Sequence, residues 1–153
     1  RKGVEAVLAA VAGGAAPFDP KAAAAAVLFV GGYPDRGHVE SALLGWKPPS
    51  LLVVQDLFPT SLTAAAAYVL PATSSFEKDG TFVNHAGLAQ TFPRAVRPPQ
   101  EARTELQVAF DLLGRRGLVQ PAAVRTELAA AVPAFAELAA EKPTRTGKKI
   151  ELA

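Results

Sequence analysis

Residues Val53–Gln90 read VVQDLFPTSLTAAAAYVLPATSSFEKDGTFVNHAGLAQ, and their order decides the fold. The stretch opens on a short apolar run that ends at Gln55-Asp56, as a buried parallel strand ends at a loop. A turn at Pro59-Thr60-Ser61 leads into an alanine-rich helical segment, then into a second apolar run, Tyr68–Leu70, stopped by Pro71. Asp79-Gly80 and Asn84–Gly87 then punctuate two short strands expected at Thr81–Val83 and Leu88–Phe92, a strong hairpin signal. Asp79-Gly80, between Phe76 and Phe82, reads as a turn that places Gly80 at positive φ. Strand, crossover, strand and hairpin make an α/β core with a small β appendage.

Upstream, Val27–Val30 is a continuous apolar run before Gly31-Gly32, consistent with a strand buried on both faces. Lys21–Ala26 favours helix on propensity yet leads straight into that strand. Asp35 is placed to cap a helix through Leu44, with Gly45 at its end, and Pro48-Pro49 sets off the next strand, Leu51–Gln55. Each crossover has about the dozen residues a parallel connection needs. Nearer the start, Val4, Val7, Leu8 and Val11 recur at helical spacing before Gly13-Gly14, so residues 3–12 read as an amphipathic helix.

Downstream, Pro93, Pro98 and Pro99 make Arg94–Glu101 an extended surface strap. Leu106, Phe110 and Leu113 predict a helix from Glu101 to Leu113, ending at Gly114, with Arg115-Arg116 complementing its C-terminus. Pro121 suits a helix start, and Val124, Leu128, Val132, Phe135 and Leu138 continue one apolar face across an expected break at Pro133. On that face Val124, Leu128, Val132 and Phe135, together with the Pro93–Pro99 strap, are expected to carry exposed apolar surface, with self-association at high concentration. Lys142–Ala153 is polar and basic, and is expected to fray or to join further chain. The fold class is α/β: a Rossmann-like, mostly parallel sheet with flanking helices, a hairpin appendage and C-terminal helices. The α/β part spans 1–117 with its hairpin at about 76–92, and a helical segment with a flexible tail follows at 118–153.

Composition narrows the function classes. The chain has 153 residues, half of them hydrophobic and 20% charged, which suits a packed core rather than disorder. Sixteen basic residues are scattered against fourteen acidic ones, with no run resembling a nucleic-acid stripe. There is no Cys, which excludes thiolate zinc and iron–sulfur ligation within the segment, and no apolar run approaches the ~20 residues of a membrane span. The chain starts Arg1-Lys2-Gly3 and contains no Met, so it is expected to be a piece of a longer polypeptide.

The central stretch resembles the pterin-binding α/β region of the molybdopterin oxidoreductase superfamily. The pattern there is Asp-x-Phe-x-Thr, an Ala-Asp-Val-Val-Leu-Pro strand, Glu-x-Gly-Thr-Phe, then Asn-x-Glu-Gly-Arg-x-Gln. The matching residues are Asp56, Phe58 and Thr60; Val69, Leu70 and Pro71; Glu77, Gly80, Thr81 and Phe82; and Asn84, Gly87 and Gln90. More loosely, the likeness runs from Ala24 to Leu138. It implies three cofactor-binding positions: Gly31, whose loop approaches a phosphate or nucleotide, and Asp56 and Thr60, an acid that recognises guanine with a hydroxyl beside it. On the residues alone, Gly31-Gly32 is also ordinary turn chemistry, and Asp56 or Thr60 also suits a helix cap.

Departures from the pattern point one way. Ser61-Leu62 replaces a Glu, Ala67 an Asp, and Ala86 and Leu88 the Glu and Arg of the last motif. The scaffold is kept while polar contacts are lost, which resembles the large iron–sulfur subunits of NADH:quinone oxidoreductase, respiratory complex I. That resemblance implies a structural domain without its own cofactor, in a parent that carries iron–sulfur clusters. Its partners would be the rest of the parent chain and other subunits of a redox complex, on the cytoplasmic side of the inner membrane in a peripheral arm. A true molybdopterin oxidoreductase of the formate dehydrogenase type, with molybdopterin bound here, and a free-standing α/β binding module are the alternatives. His38 and His85 belong to no ligand cluster, Ser74, Ser75 and Glu77 read as turn residues, and Trp46 reads as packing under a loop. No residue set reads as a catalytic centre.

Overall fold

The computed structural model describes residues 7, 19–32, 45–99, 101–140 and 146–150. The helix expected at 35–44 lies outside them, as does the one at 3–12 except for Val7, which is helical. Two compact units emerge, one of 18–78 and 95–117, the other of 1–17, 79–94 and 118–153.

In the first unit three parallel strands lie in sequential order: β1 (Ala26–Val30), β2 (Leu51–Asp56) and β3 (Tyr68–Pro71). Their registers pair Leu28 with Val53 and Val53 with Tyr68, and Phe29 with Val54 and Val54 with Val69. Laterally paired residues share a face, so Val27, Phe29, Leu52 and Val54 form one side of the sheet. Helix α1 (Ser61–Ala65) and Trp46 both pack on that side, where Leu52, Val54 and Leu62 make the buried core. The alanine run gives only five helical residues, because Ala66 already has extended backbone and leads into β3.

The strap behaves as its prolines dictate: among the described residues no helix or strand lies between Phe92 and Glu105. It is tied down by Ala95 and Val96, whose N–H groups both donate to the Phe76 carbonyl, and by Arg103, which donates to the Pro71 carbonyl and bridges Ala72. Helix α2 (Glu105–Leu112) starts four residues later than the apolar spacing suggests. Thr104 is the reason, because its side chain accepts from the Gln107 N–H and so fixes the first turn. Lys78 grips both carboxylate oxygens of Glu105 at 2.8 Å. Arg115 lies 5.0 Å over the Phe110 ring beyond the helix end, where Gly114 takes φ +67°.

The second unit is built on an antiparallel sheet of β4 (Gly80–Val83), β5 (Leu88–Phe92) and β6 (Lys148–Lys149). The hairpin turn is Asn84–Gly87: the Asn84 side chain accepts from the Ala86 and Leu88 N–H groups, and Gly87 takes φ +76°. Gly80 is not a turn residue. It opens β4 without positive φ, so the turn expected at Asp79-Gly80 is replaced by strand.

Helix α3 (Pro121–Ala131) starts with Pro at its first turn and stops before Pro133, as that proline requires. A 3-10 turn (Pro133–Phe135) and α4 (Glu137–Ala140) follow. Val132 and Phe135 are 2% and 4% exposed, sealed with Leu138 against Ala89 and Ile150. The exposed face expected at Val132 and Phe135 is therefore a core, because the hairpin and the final strand cover it. The tail expected to fray includes β6, which pairs with Leu88 and Ala89 and delivers Ile150 to that core.

Candidate functional site

A parallel sheet of this kind presents its strand C-termini as the place for a ligand. β1 runs out into Gly31-Gly32, and β2 into Asp56 and the loop before α1. The structure brings Gly31 and Asp56 together. Gly31 donates its N–H to the Gln55 carbonyl at 2.8 Å, and a Cβ on Gly31 would overlap the Asp56 carboxylate. Only glycine lets that carboxylate lie so close to the backbone.

Asp56 is buried, and its Oδ1 accepts from the Gly32 N–H at 3.0 Å and the Leu57 N–H at 2.6 Å. One carboxylate oxygen thus satisfies amides on two adjacent loops and holds them together. Thr60 is engaged in a different way. Its hydroxyl accepts from the Thr63 N–H while the Thr63 hydroxyl accepts from the Thr60 N–H, a reciprocal cap on α1. Asp56 through Oδ1 and Thr60 through its hydroxyl oxygen thus both bond to the chain's own backbone.

Two further positions of the family pattern lie elsewhere. Ala67 donates its N–H to the Leu52 carbonyl, toward the other end of β2, and offers no polar side chain, and the Asn84 side-chain oxygen serves the hairpin turn. Ser74 and Glu77 close a turn on each other, with the Ser74 N–H donating to Glu77 Oε2 at 2.8 Å, as turn residues should. His85 is exposed at the hairpin, His38 lies outside the described residues, and among the described residues no three acids or histidines could hold a metal. The fit to a guanine-bearing pterin is thereby reduced: Asp56 Oδ1 and the Thr60–Thr63 cap serve the chain itself, and Ala67, Ala86 and Leu88 offer no polar side chain.

Two buried polar residues escaped the sequence reading. Gln55 donates its amide to the Arg103 carbonyl at 2.8 Å, but among the described residues Gln55 Oε1 has no partner, nor has Thr73 Oγ1. An amide at the end of an otherwise apolar strand was the available signal. Beside them a groove of about 460 Å³ is lined by Val69, Leu70, Pro71, Glu101, Arg103 and Val108. Neither Asp56 nor Thr60 lines it.

Comparison with known proteins sets these motifs in context. The sequence model of the family described as molybdopterin oxidoreductase matches residues 15–115. The NADPH-Fe(3+) oxidoreductase subunit alpha of Geobacter sulfurreducens is 34% identical over 113 residues, 71% of this chain and 13% of that protein. The F420-dependent formate dehydrogenase subunit alpha of Methanocaldococcus jannaschii is 49% identical over 69 residues, 45% of this chain and 10% of that protein. An NADH-quinone oxidoreductase subunit of Rhizobium meliloti is 36% identical over 107 residues, 67% of this chain and 12% of that protein. The chain therefore spans a small fraction of these relatives, between 10% and 13% of their length. On the strength of the match to residues 15–115, the chain belongs to the molybdopterin oxidoreductase family.

Proposed function

We propose that this chain is a structural, cofactor-free α/β domain of a large iron–sulfur subunit of the NADH:quinone oxidoreductase type. It supports electron transfer carried out by clusters elsewhere in the parent, and its partners are the rest of that chain and the other subunits of the complex. The setting that goes with this role is a peripheral arm on the cytoplasmic side of the inner membrane. Among the described residues no helix is long and apolar enough to cross a membrane.

The observation that carries the reading is the Asp56 carboxylate. The residue is buried and its Oδ1 accepts from the Gly32 and Leu57 amides, which ties it to the chain's own loops and supports a structural role. The replacements at Ala67, Ala86 and Leu88 agree with it. Production in a host that makes molybdopterin, followed by metal and pterin analysis, tests the proposal. Molybdenum and tungsten far below one per chain are expected, and a stoichiometric amount overturns it.

One observation favours a second reading. The 49% identity to a formate dehydrogenase alpha subunit is higher than the 36% to the NADH-quinone oxidoreductase relative, though over a shorter stretch. Under it the domain holds a pterin and the Asp56 loop opens to receive it. The same metal analysis separates the two.

A further inference from the structure

The parallel sheet has two edges, and the chain treats them differently. Along β3 the strap closes one end of the outer edge, where Arg103 bridges Ala72 and donates its N–H to the Pro71 carbonyl. Among the described residues nothing pairs with the outer edge of β1, and Ala26–Val30 make no backbone hydrogen bond besides those to β2. Alternation fixes which groups are left over. Gly31 donates its N–H to the Gln55 carbonyl, so the backbone groups of Val27 and Phe29 also turn to β2, and those of Ala26, Leu28 and Val30 turn outward. Natural edges of this kind are blunted by a charge, a proline, a bulge or a very short strand. β1 has none of these: it reads AVLFV over five residues and keeps an unbroken register with β2 from Ala26 to Val30. The side chains report the same gap. Leu52 and Val54 on the middle strand are fully buried, while their lateral neighbours Val27 and Phe29 are only partly buried beside the same core. On the other face Leu28 is 44% exposed and Val30 45%.

We infer that the outer edge of β1 takes up a further β-strand, supplied by polypeptide outside residues 1–153. The inference rests on the reading of the chain as a domain of a larger redox subunit, and it names the edge at which the sheet continues there. Backbone chemistry selects the occupant. A row of donors and acceptors at strand spacing is satisfied by another extended backbone, and not by a helix, whose own amides are already bonded. The incoming side chains would lie beside Val27 and Phe29 on one face and beside Leu28 and Val30 on the other. A strand of about five uncharged residues, apolar on both faces, fits that setting, as strands of parallel sheets are. Three strands also fall short of the roughly four to six that sheets commonly have. The relatives, of which this chain spans 10% to 13%, have ample further polypeptide to supply the strand.

Amide hydrogen exchange, resolved residue by residue, reads the edge directly and needs no substitution. In dilute 153-residue protein the outward amides of Leu28 and Val30 should exchange within about tenfold of an unstructured chain, while Phe29, turned to β2, is slowed at least about a hundredfold. Slow exchange at Phe29 serves as the internal check that β1 is formed. In the longer polypeptide that carries these residues, Leu28 and Val30 should be slowed at least about a hundredfold as well. Slow Leu28 and Val30 amides in the dilute 153-residue protein mean that the chain already closes the edge, and overturn the proposal. Fast exchange at both positions in the longer polypeptide means that the edge stays open there, and also overturns it. Protection that appears in the 153-residue protein only as its concentration rises makes a second copy the occupant, which overturns it too. Molybdenum content reads the function proposal separately, so either can fail alone.

Discussion

Phe92 lies across from Gly80 on the neighbouring strand, and its ring occupies the space a side chain at Gly80 would need. A Cβ there would come within 2.6 Å of the Phe92 ring, which is itself stacked on Phe82 with centroids 4.4 Å apart. The glycine is required by its cross-strand partner and not by a turn. Gly80→Ala should cost about 1 kcal/mol by pushing the ring off Phe82. In a Phe92→Ala background the same change should cost little, so a double-mutant cycle by urea denaturation would show coupling. Equal costs in both backgrounds would disprove the contact.

Asp56→Ala should be among the more damaging single changes in the first unit. It removes the acceptor for the Gly32 and Leu57 amides in a partly buried site, at a cost of about 1 to 3 kcal/mol. Asp56→Asn keeps one acceptor oxygen and should cost less. If Asp56→Ala leaves the denaturation midpoint unchanged, the carboxylate is not holding the two loops.

Phe135 is sealed in the core of the second unit, so Phe135→Ala should destabilise by about 3 to 5 kcal/mol. Leu112, on α2 and well exposed, should tolerate Ala within about 0.5 kcal/mol. Thermal denaturation of the pair checks the contrast, and a mild Phe135→Ala would return that residue to the surface where helical periodicity puts it.

The Lys78–Glu105 pair joins the turn after β3 to the first turn of α2. Both side chains are partly exposed, so a double-mutant cycle should give at most about 1 kcal/mol, shrinking as salt is raised. A coupling that does not respond to salt would point to packing instead of charge.

The strands are legible because their signals are local. Apolar runs bounded by Gly-Gly, Pro-Pro and Pro71 place β1, β2 and β3 within a residue of where they lie, and Pro121 and Pro133 bracket α3. Asn84 and Gly87 announce their turn because the bonds that make it are made within four residues. The start of α2 is not legible in the same way, since apolar spacing says which face a helix buries and only the Thr104 cap says where it begins.

What tertiary structure decided is which group meets which across distance. The sequence alone determined that Gly80, Asp56 and Phe135 stand where a turn, a ligand loop and an apolar stripe would put them. It could not say that Phe92 fills the space over Gly80, that Asp56 turns to the amide of Gly32 from the next strand's loop, or that β5 and β6 cover Phe135. Periodicity and propensity act over one turn of helix or one hairpin, whereas a carboxylate or an apolar face accepts any suitable partner. Only the folded chain, by bringing residues distant in sequence into contact, selects one partner.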